Sequence, residues 1–297
     1  GRPPRETEPH IDVLPDAETA TRAAATLLAS ALADAVRERG RADWATTGGS
    51  TVVGIYRALA AAPLRDLVPW DRVHVWWGDD RLVPRDHPLS NRLPFDQALL
   101  GTAGRAGLSG TGVGAVDLDI GATPGVRIPV ANIHAMPIDA ALAKTQGHGP
   151  SGAIADAASE AARAYGLELE AAPLARDGRG IPILDVVLVG VGPDGHVFSV
   201  FPGSPLLGST ALVSAVPAPS HVEPHVARVS LNPAFLTAAR LPLAVVLGAG
   251  KAGIVAAVLA APRDVERYPA QLARRAGAAW FLDAAAAAGL PGHGQAG

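Results

Sequence analysis

Apolar residues first fall into a clear period between residues 16 and 39. Ala24, Leu27, Leu28, Ala31, Leu32 and Ala35 recur on one helical face. Asp16 can cap this helix, Glu18 sits in its first turn, Arg37 and Arg39 in its last, and Gly40 just beyond. Residues 1–15 read as an extended tail or a first strand. Asp43–Thr47 reads as a short strand, and a second helix then runs to about Ala62. Its apolar face is Val52, Val53, Tyr56 and Leu59, and Pro63 ends it. Arg72–Trp77 has the composition of a buried strand. Ile183–Val191 is an almost unbroken β-branched and aliphatic run, interrupted by Asp185. Asn132–Met136, Val226–Leu231 and Leu243–Leu247 predict further strands. Ala153–Ala172, Lys251–Leu259 and Ala276–Ala288 predict helices.

Strands alternating with helices predict a three-layer α/β fold: a mainly parallel, doubly wound, Rossmann-like sheet with helices on both faces. No repeat or linker divides the chain. A single domain is therefore expected over residues 1–297, with flexible tails at 1–10 and 289–297. Residues 101–128 are Gly-rich without helical period and read as a loop or lid. In such sheets ligands sit beyond the carboxyl ends of the strands. Every polar, glycine-containing motif of this chain follows a predicted strand, so one shared cleft is expected.

Composition narrows the chemistry. Hydrophobic residues make up 48% of the chain, enough for a sizeable core. Charged residues are 18% and the net charge is −3, unlike a nucleic-acid-binding chain. Any anion site must then be local, built from a few cations and backbone N–H groups. The absence of cysteine excludes disulfides, thiolate catalysis and cysteine-based metal sites, and it fits a reducing cytoplasm. No segment has the apolar length of a membrane helix, so no membrane partner is expected.

The motifs carry the rest. Gly48-Gly49-Ser50-Thr51 lies between a strand and a helix. It can offer a phosphate close backbone approach, free helix N–H groups and two hydroxyls, or it can be a plain helix cap. It is not a Walker loop, because no Gly-Lys-Ser/Thr follows. Gly190-Val191-Gly192-Pro193-Asp194-Gly195 has the spacing of a dinucleotide fingerprint. However, Pro-Asp-Gly makes a turn, Phe201-Pro202-Gly203 breaks any following helix, and the next acidic residue is as distant as Glu223. No nicotinamide cofactor is expected. His196 on this turn is held at a strand end beside Asp194, as a catalytic base would be, although a lone histidine is often structural. Gly78-Asp79-Asp80-Arg81 also follows a strand. Arg81 can clamp a phosphate, stabilise developing charge, or form a surface ion pair with an aspartate. His221 and His225 flank Pro224, which disfavours the helix of a metal-binding histidine pair, so they read as a polar loop with no metal. No Gly-x-Ser-x-Gly elbow is present.

Together these segments resemble the 6-phosphogluconolactonase family, from about Ala45 to Ala287. The matching segments include Gly48-Gly49-Ser50-Thr51, then Val75-Trp76-Trp77-Gly78-Asp79-Asp80-Arg81, and Ser90-Asn91. They continue with Ile128-Pro129, Asn132-Ile133-His134 and Leu188–His196, followed by Ser199 and Phe201-Pro202-Gly203. Arg228-Val229-Ser230-Leu231, Gly250-Lys251-Ala252 and Trp280-Phe281-Leu282-Asp283 complete the match, the last read as the C-terminal helix. The chain departs from the family pattern at Asp80, usually Glu, and at Val197-Phe198, usually Thr-Ala. Arg92 stands where an aromatic residue is common, and Gly166 where a Glu is usual.

The resemblance implies metal-independent, cofactor-free hydrolysis of 6-phospho-D-glucono-1,5-lactone to 6-phosphogluconate in the oxidative pentose phosphate pathway. His196 would be the base, Asp194 its orienting partner and Arg81 a stabiliser of negative charge. Gly48, Gly49, Ser50, Thr51, Asp79, Asn91, Gly195, Arg228 and Lys251 form the expected substrate- and phosphate-binding set. The expected partner is a small phosphorylated sugar lactone, with no nucleic acid, in a cytoplasmic monomer or small homo-oligomer. Glucosamine-6-phosphate deaminases share the glycine loop and the Asp-Gly-His turn, but they continue toward an Asn-Glu pair. This chain continues Val197-Phe198-Ser199-Val200-Phe201-Pro202, without a carboxylate. A deaminase or isomerase, and a non-catalytic sugar-phosphate sensor, remain the alternatives.

Overall fold

The computed structural model describes residues 8–101, 125–145 and 150–292. Most of the Gly-rich stretch expected to be a loop or lid, 102–124, lies outside the described residues.

Five segments with strand-forming runs open the chain in order: β1 (His10–Leu14), β2 (Ala42–Thr46), β3 (Val73–Trp77), β4 (Asp79–Arg81) and β5 (Ile133–His134). Later come β6 (Val186–Val189), β7 (Val213–Val216), β8 (Arg228–Leu231), β9 (Leu241–Val246) and β10 (Ala279–Asp283). Seven of them form one sheet in the order β1-β10-β9-β6-β2-β3-β5, and all of its pairings are parallel. The chain winds outward from β2 through β3 to β5, then returns to the other side of β2 at β6 and continues through β9 and β10. The winding therefore reverses between β2 and β6, where such sheets bind ligands. Every residue of β2, β6 and β10 is buried, as expected for strands covered on both faces.

The first helix, α1 (Ala17–Arg39), starts and stops where its sequence signals lie. Asp16 Oδ1 accepts the Thr19 N–H at 2.7 Å, and Gly40 closes the helix at φ 77°. It packs on α2 (Ser50–Leu59) and against β9 and β10. A long helix, α3 (Pro150–Ala171), covers β7 and β8, and α4 (Ala252–Leu259) follows β9. Trp44, Trp76, Trp77, Trp280, Tyr56, Tyr165 and Phe95 are fully buried at the centre. Among the described residues no helix is long and apolar enough to cross a membrane.

Three expectations are corrected. The predicted helix over Ala276–Ala288 is β10 followed by one helical turn, Ala284–Ala287. Its alanines favour a helix, but Ala279–Asp283 lies between β1 and β9, where both faces of a strand are covered. A short, continuously apolar run cannot be told from a buried helix by periodicity. Second, Asp79–Arg81, read as a motif following a strand, is itself a strand, and Arg228–Leu231 does not join the parallel sheet. Both belong to a separate antiparallel sheet, β4-β8-β7. Third, the flexible tail expected at 1–10 does not reach His10, which pairs with Ala279 and begins the first strand that the reading of residues 1–15 allowed.

Candidate active site

The reversal point gathers several chain segments around one cavity of about 340 Å³, a size suited to a small ligand. Gly48, Gly49, Ser50 and Thr51 come from the end of β2, and His196 from the turn after β6. Lys251 follows β9, while Arg81 and Arg228 come from the small antiparallel sheet, with Asp79 and Asn91 beside them. Asp194 and Gly195 are not in the cavity wall. Asp194 stands behind His196, and Gly195 bends the chain at φ 88° with the Tyr268 ring 3.0 Å from where a Cβ would lie.

The turn after β6 fits around the imidazole. A Cβ on Gly192 would lie 2.0 Å from His196 Nδ1, so only glycine leaves room for the ring there. His196 Nδ1 is 2.5 Å from Asp194 Oδ1, which also accepts the His196 main-chain N–H at 3.1 Å. A carboxylate at Nδ1 keeps the proton on that nitrogen and leaves Nε2 as an acceptor. Burial alone would raise the Asp194 carboxyl. Hydrogen bonds and charge from His196, with a hydrogen bond from His221, outweigh it and hold Asp194 well below the usual range.

Three cations share the cavity, and all are held by carbonyl groups. Lys251 Nζ donates to Val191 O at 2.6 Å, on the same turn as His196. Arg81 Nη1 donates to Leu89 O at 2.9 Å and Arg228 Nη2 to Pro224 O at 3.1 Å. Arg81 and Arg228 are also register partners across β4 and β8. Their Nε atoms are both buried without a hydrogen-bond partner. Burial depresses the guanidinium of Arg228 and the ammonium of Lys251, while Asp79 favours the charge on the first and Asp194 that on the second. Adjacent guanidinium groups with unmet donors and no neutralising ion pair among the described residues are poised for an anion.

The glycine loop shapes the opposite wall. Gly49 begins α2 at φ 96° with no side-chain cap, so the free N–H groups of the first turn face the cavity region. A Cβ on Gly48 would lie 1.8 Å from Asn91 Oδ1. Asn91 is in turn fixed by Asp79, donating from Nδ2 to its carbonyl at 2.9 Å and to Oδ1 at 3.2 Å. Asp79 Oδ2 accepts the Ser199 hydroxyl at 2.6 Å. Asp79 and Asn91 thus line the site while committing much of their polar capacity to each other.

The structure brings in residues that the sequence reading did not place in the site. Ser199 locks Asp79 from 120 positions away. Asp283 accepts the Gly248 N–H at 3.0 Å and fixes the turn leading to Lys251. Val222 and Glu223 form part of the wall, and His221 reaches Asp194. Phe198 lines the cavity at φ 52°, a strained conformation for a bulky residue, and its ring fills the space a Cβ on Gly78 would need. Arg92 takes its aromatic slot by lying over Trp77 and Phe95, with Asp96 paired at 2.7 Å. Among the described residues no three histidine, cysteine or acidic side chains converge as metal ligands.

The comparisons with known proteins agree in direction. A family model described as glucosamine-6-phosphate isomerases/6-phosphogluconolactonase matches residues 15–281. The 6-phosphogluconolactonase of Streptomyces coelicolor is 32% identical over 283 residues, which cover 95% of each chain. That of Mycobacterium tuberculosis is 33% identical over 282 residues, 95% of this chain and 98% of its own. Among solved structures, the 6-phosphogluconolactonase of Trypanosoma brucei superposes with a TM-score of 0.75 at 26% identity, covering 96% of this chain and 100% of that one.

Proposed function

The chain belongs to the family of glucosamine-6-phosphate isomerases and 6-phosphogluconolactonases, and from that premise we propose that it hydrolyses 6-phospho-D-glucono-1,5-lactone to 6-phosphogluconate. One observation carries the reading. An imidazole fixed by Asp194 shares a cavity with three cations whose hydrogen bonds go to carbonyl groups.

The substrate 6-phosphate binds Arg228 and Lys251 with the first turn of α2 at Gly49 and Ser50. Fixing the far end of the sugar turns binding energy into orientation of the lactone carbonyl. A water on His196 Nε2 gives up its proton there as its oxygen bonds to C1. The carbonyl π electrons move onto oxygen, and Arg81 or a nearby backbone N–H stabilises the resulting oxyanion. When the carbonyl re-forms, the bond from C1 to the ring oxygen breaks. The leaving oxygen takes the proton from His196 Nε2, and the neutral imidazole is restored. Asp194 stays ionised throughout and stabilises the transient imidazolium.

The reading is tested by hydrolysis of freshly prepared 6-phosphogluconolactone, corrected for spontaneous ring opening, against unphosphorylated gluconolactone. The phosphorylated lactone should be turned over with a much higher kcat/KM. Equal values for the two lactones would remove the phosphate anchor, and ammonia release from glucosamine 6-phosphate would replace the lactonase reading with a deaminase one.

A further inference from the structure

The hydrolytic mechanism uses one oxygen of Asp194, and the structure puts a second histidine on the other. His221 Nε2 stands 3.0 Å from Asp194 Oδ2, while Oδ1 holds His196. Both imidazoles rest on Phe201, the His196 ring tilted at a centroid distance of 4.7 Å and the His221 ring edge-on at 5.4 Å. Asp194 therefore lies between two histidines over one aromatic ring. His221 belongs to the segment 219–227, which closes one side of the cavity. Val222 and Glu223 from this segment line it, and the Pro224 carbonyl accepts from Arg228. His225 Nδ1 lies 2.7 Å from the Pro219 carbonyl, which ties the segment to itself.

We propose that His221 is a positioning residue, which locks the Asp194 carboxylate and through it the direction and tautomer of His196. This assignment rests on the lactonase reading. A carboxylate turns readily about its broad terminal torsion, and a donor on its outer oxygen removes that freedom. With the carboxylate plane fixed, Oδ1 stays on His196 Nδ1, and Nε2 keeps its aim at the substrate. The charge state of His221 matters as well. A neutral ring donating Nε2–H leaves most of the carboxylate charge to stabilise the imidazolium on His196, whereas a protonated ring competes for it. The charged and titratable groups facing this pair are Asp194 and His196 on the turn and Glu223 and His225 on the segment itself. Glu223 Oε1 lies 3.6 Å from His225 Nε2, and the charges of Arg228 and Lys251 reach Asp194. The His221 side chain is 53% exposed, so solvent screening keeps the expected effect moderate. The same contact links seating of the segment to readiness of the base, because Arg228, the phosphate-holding cation, bonds the carbonyl three residues after His221.

The test uses His221→Ala and His221→Gln in the full chain, with two readouts. The first is steady-state hydrolysis of 6-phosphogluconolactone. His221→Ala should lower kcat by about fivefold to thirtyfold, the partly screened worth of one hydrogen bond to a charged group, and change KM by less than about twofold. It should also move the acidic limb of the kcat profile. His221→Gln, whose amide can donate to the same oxygen, should restore most of kcat and the original limb. The second readout needs no substrate. The low-field proton resonance of His196 Nδ1–H should be present in the wild type and His221→Gln, and lost or broadened in His221→Ala. Unchanged kcat, pH profile and proton signal in His221→Ala would overturn the proposal. So would a KM defect that Gln does not rescue, which would make His221 part of the wall. A wild-type chain inert toward the lactone would defeat the lactonase reading, and the proton signal would still decide for or against His221.

Discussion

At the scale of single residues, the site is built by pairing each reactive group with a main-chain or small-residue partner that leaves its function free. Gly192 gives the His196 ring its space. Lys251, Arg81 and Arg228 are steered by carbonyl oxygens, so their charges remain available to a ligand. This leads to a quantitative expectation. A hydrogen bond between charged groups contributes about 1.5–3 kcal/mol, so Arg228→Ala or Lys251→Ala should each weaken 6-phosphogluconate binding about tenfold or more by titration calorimetry. Affinities unchanged in both variants would take these residues out of the phosphate site. Much of this set was legible in the sequence: His196, Asp194 and Gly49 lie in glycine-containing turns at predicted strand ends, and Arg228 and Lys251 lie in segments that resemble the family. The partners that fix them were not. Ser199 meets Asp79 across 120 positions and Asp283 meets Gly248 across 35, and no local pattern encodes such contacts. His221 was read as a polar loop residue for the same reason, because its partner lies 27 positions earlier.

At the scale of elements, the sequence pattern separated α1 and β6 well and failed where one signal supports two structures. Caps at both ends define α1, and a run of β-branched residues defines β6. The alanine-rich segment around Trp280 carries strong helix propensity, yet a place between two parallel strands overrides it. The strand β4 was missed because Asp-Asp-Arg has poor strand propensity. It is held by its pairing with β8 and by the buried Asp80, whose Oδ1 accepts the main-chain N–H groups of Arg81 and Asn91, each at 2.7 Å. Burial raises the Asp80 carboxyl to about 7, with hydrogen bonds opposing and the neighbouring Asp79 adding to the rise. A folded value above the unfolded one means that the native state binds more protons across that interval. The Asp80 contribution to stability is therefore greatest below about pH 4 and is lost as pH rises to about 7. The full change is on the order of 4 kcal/mol. Asp80→Asn keeps the accepting oxygen and removes the titration. Urea unfolding should therefore show the variant gaining stability relative to the wild type between pH 5 and pH 8. An equal stability difference at the two pH values would contradict a buried, proton-dependent Asp80.

At the scale of the whole molecule, the winding reversal between β2 and β6 sets where the chemistry sits. It places the helix start after β2 and the histidine turn after β6 side by side, and β9 delivers Lys251 next to them. The small antiparallel sheet, invisible to a reading that put every strand in one sheet, then closes the site with Arg81 and Arg228. In this arrangement the base is not itself one of the anion-holding groups, so removing its imidazole should spare anion binding. The most direct measurement is kcat for 6-phosphogluconolactone as a function of pH in the wild type and in His196→Ala, with 6-phosphogluconate affinity measured in parallel. The account predicts that His196→Ala lowers kcat by about 10²–10⁴, the usual worth of a general base, and leaves product affinity nearly unchanged. The wild-type rate should fall on acidification, because the step needs an unprotonated base, and the variant should lack that limb. A near-normal kcat in His196→Ala, with the same acidic limb, would show that another group accepts the proton of the attacking water.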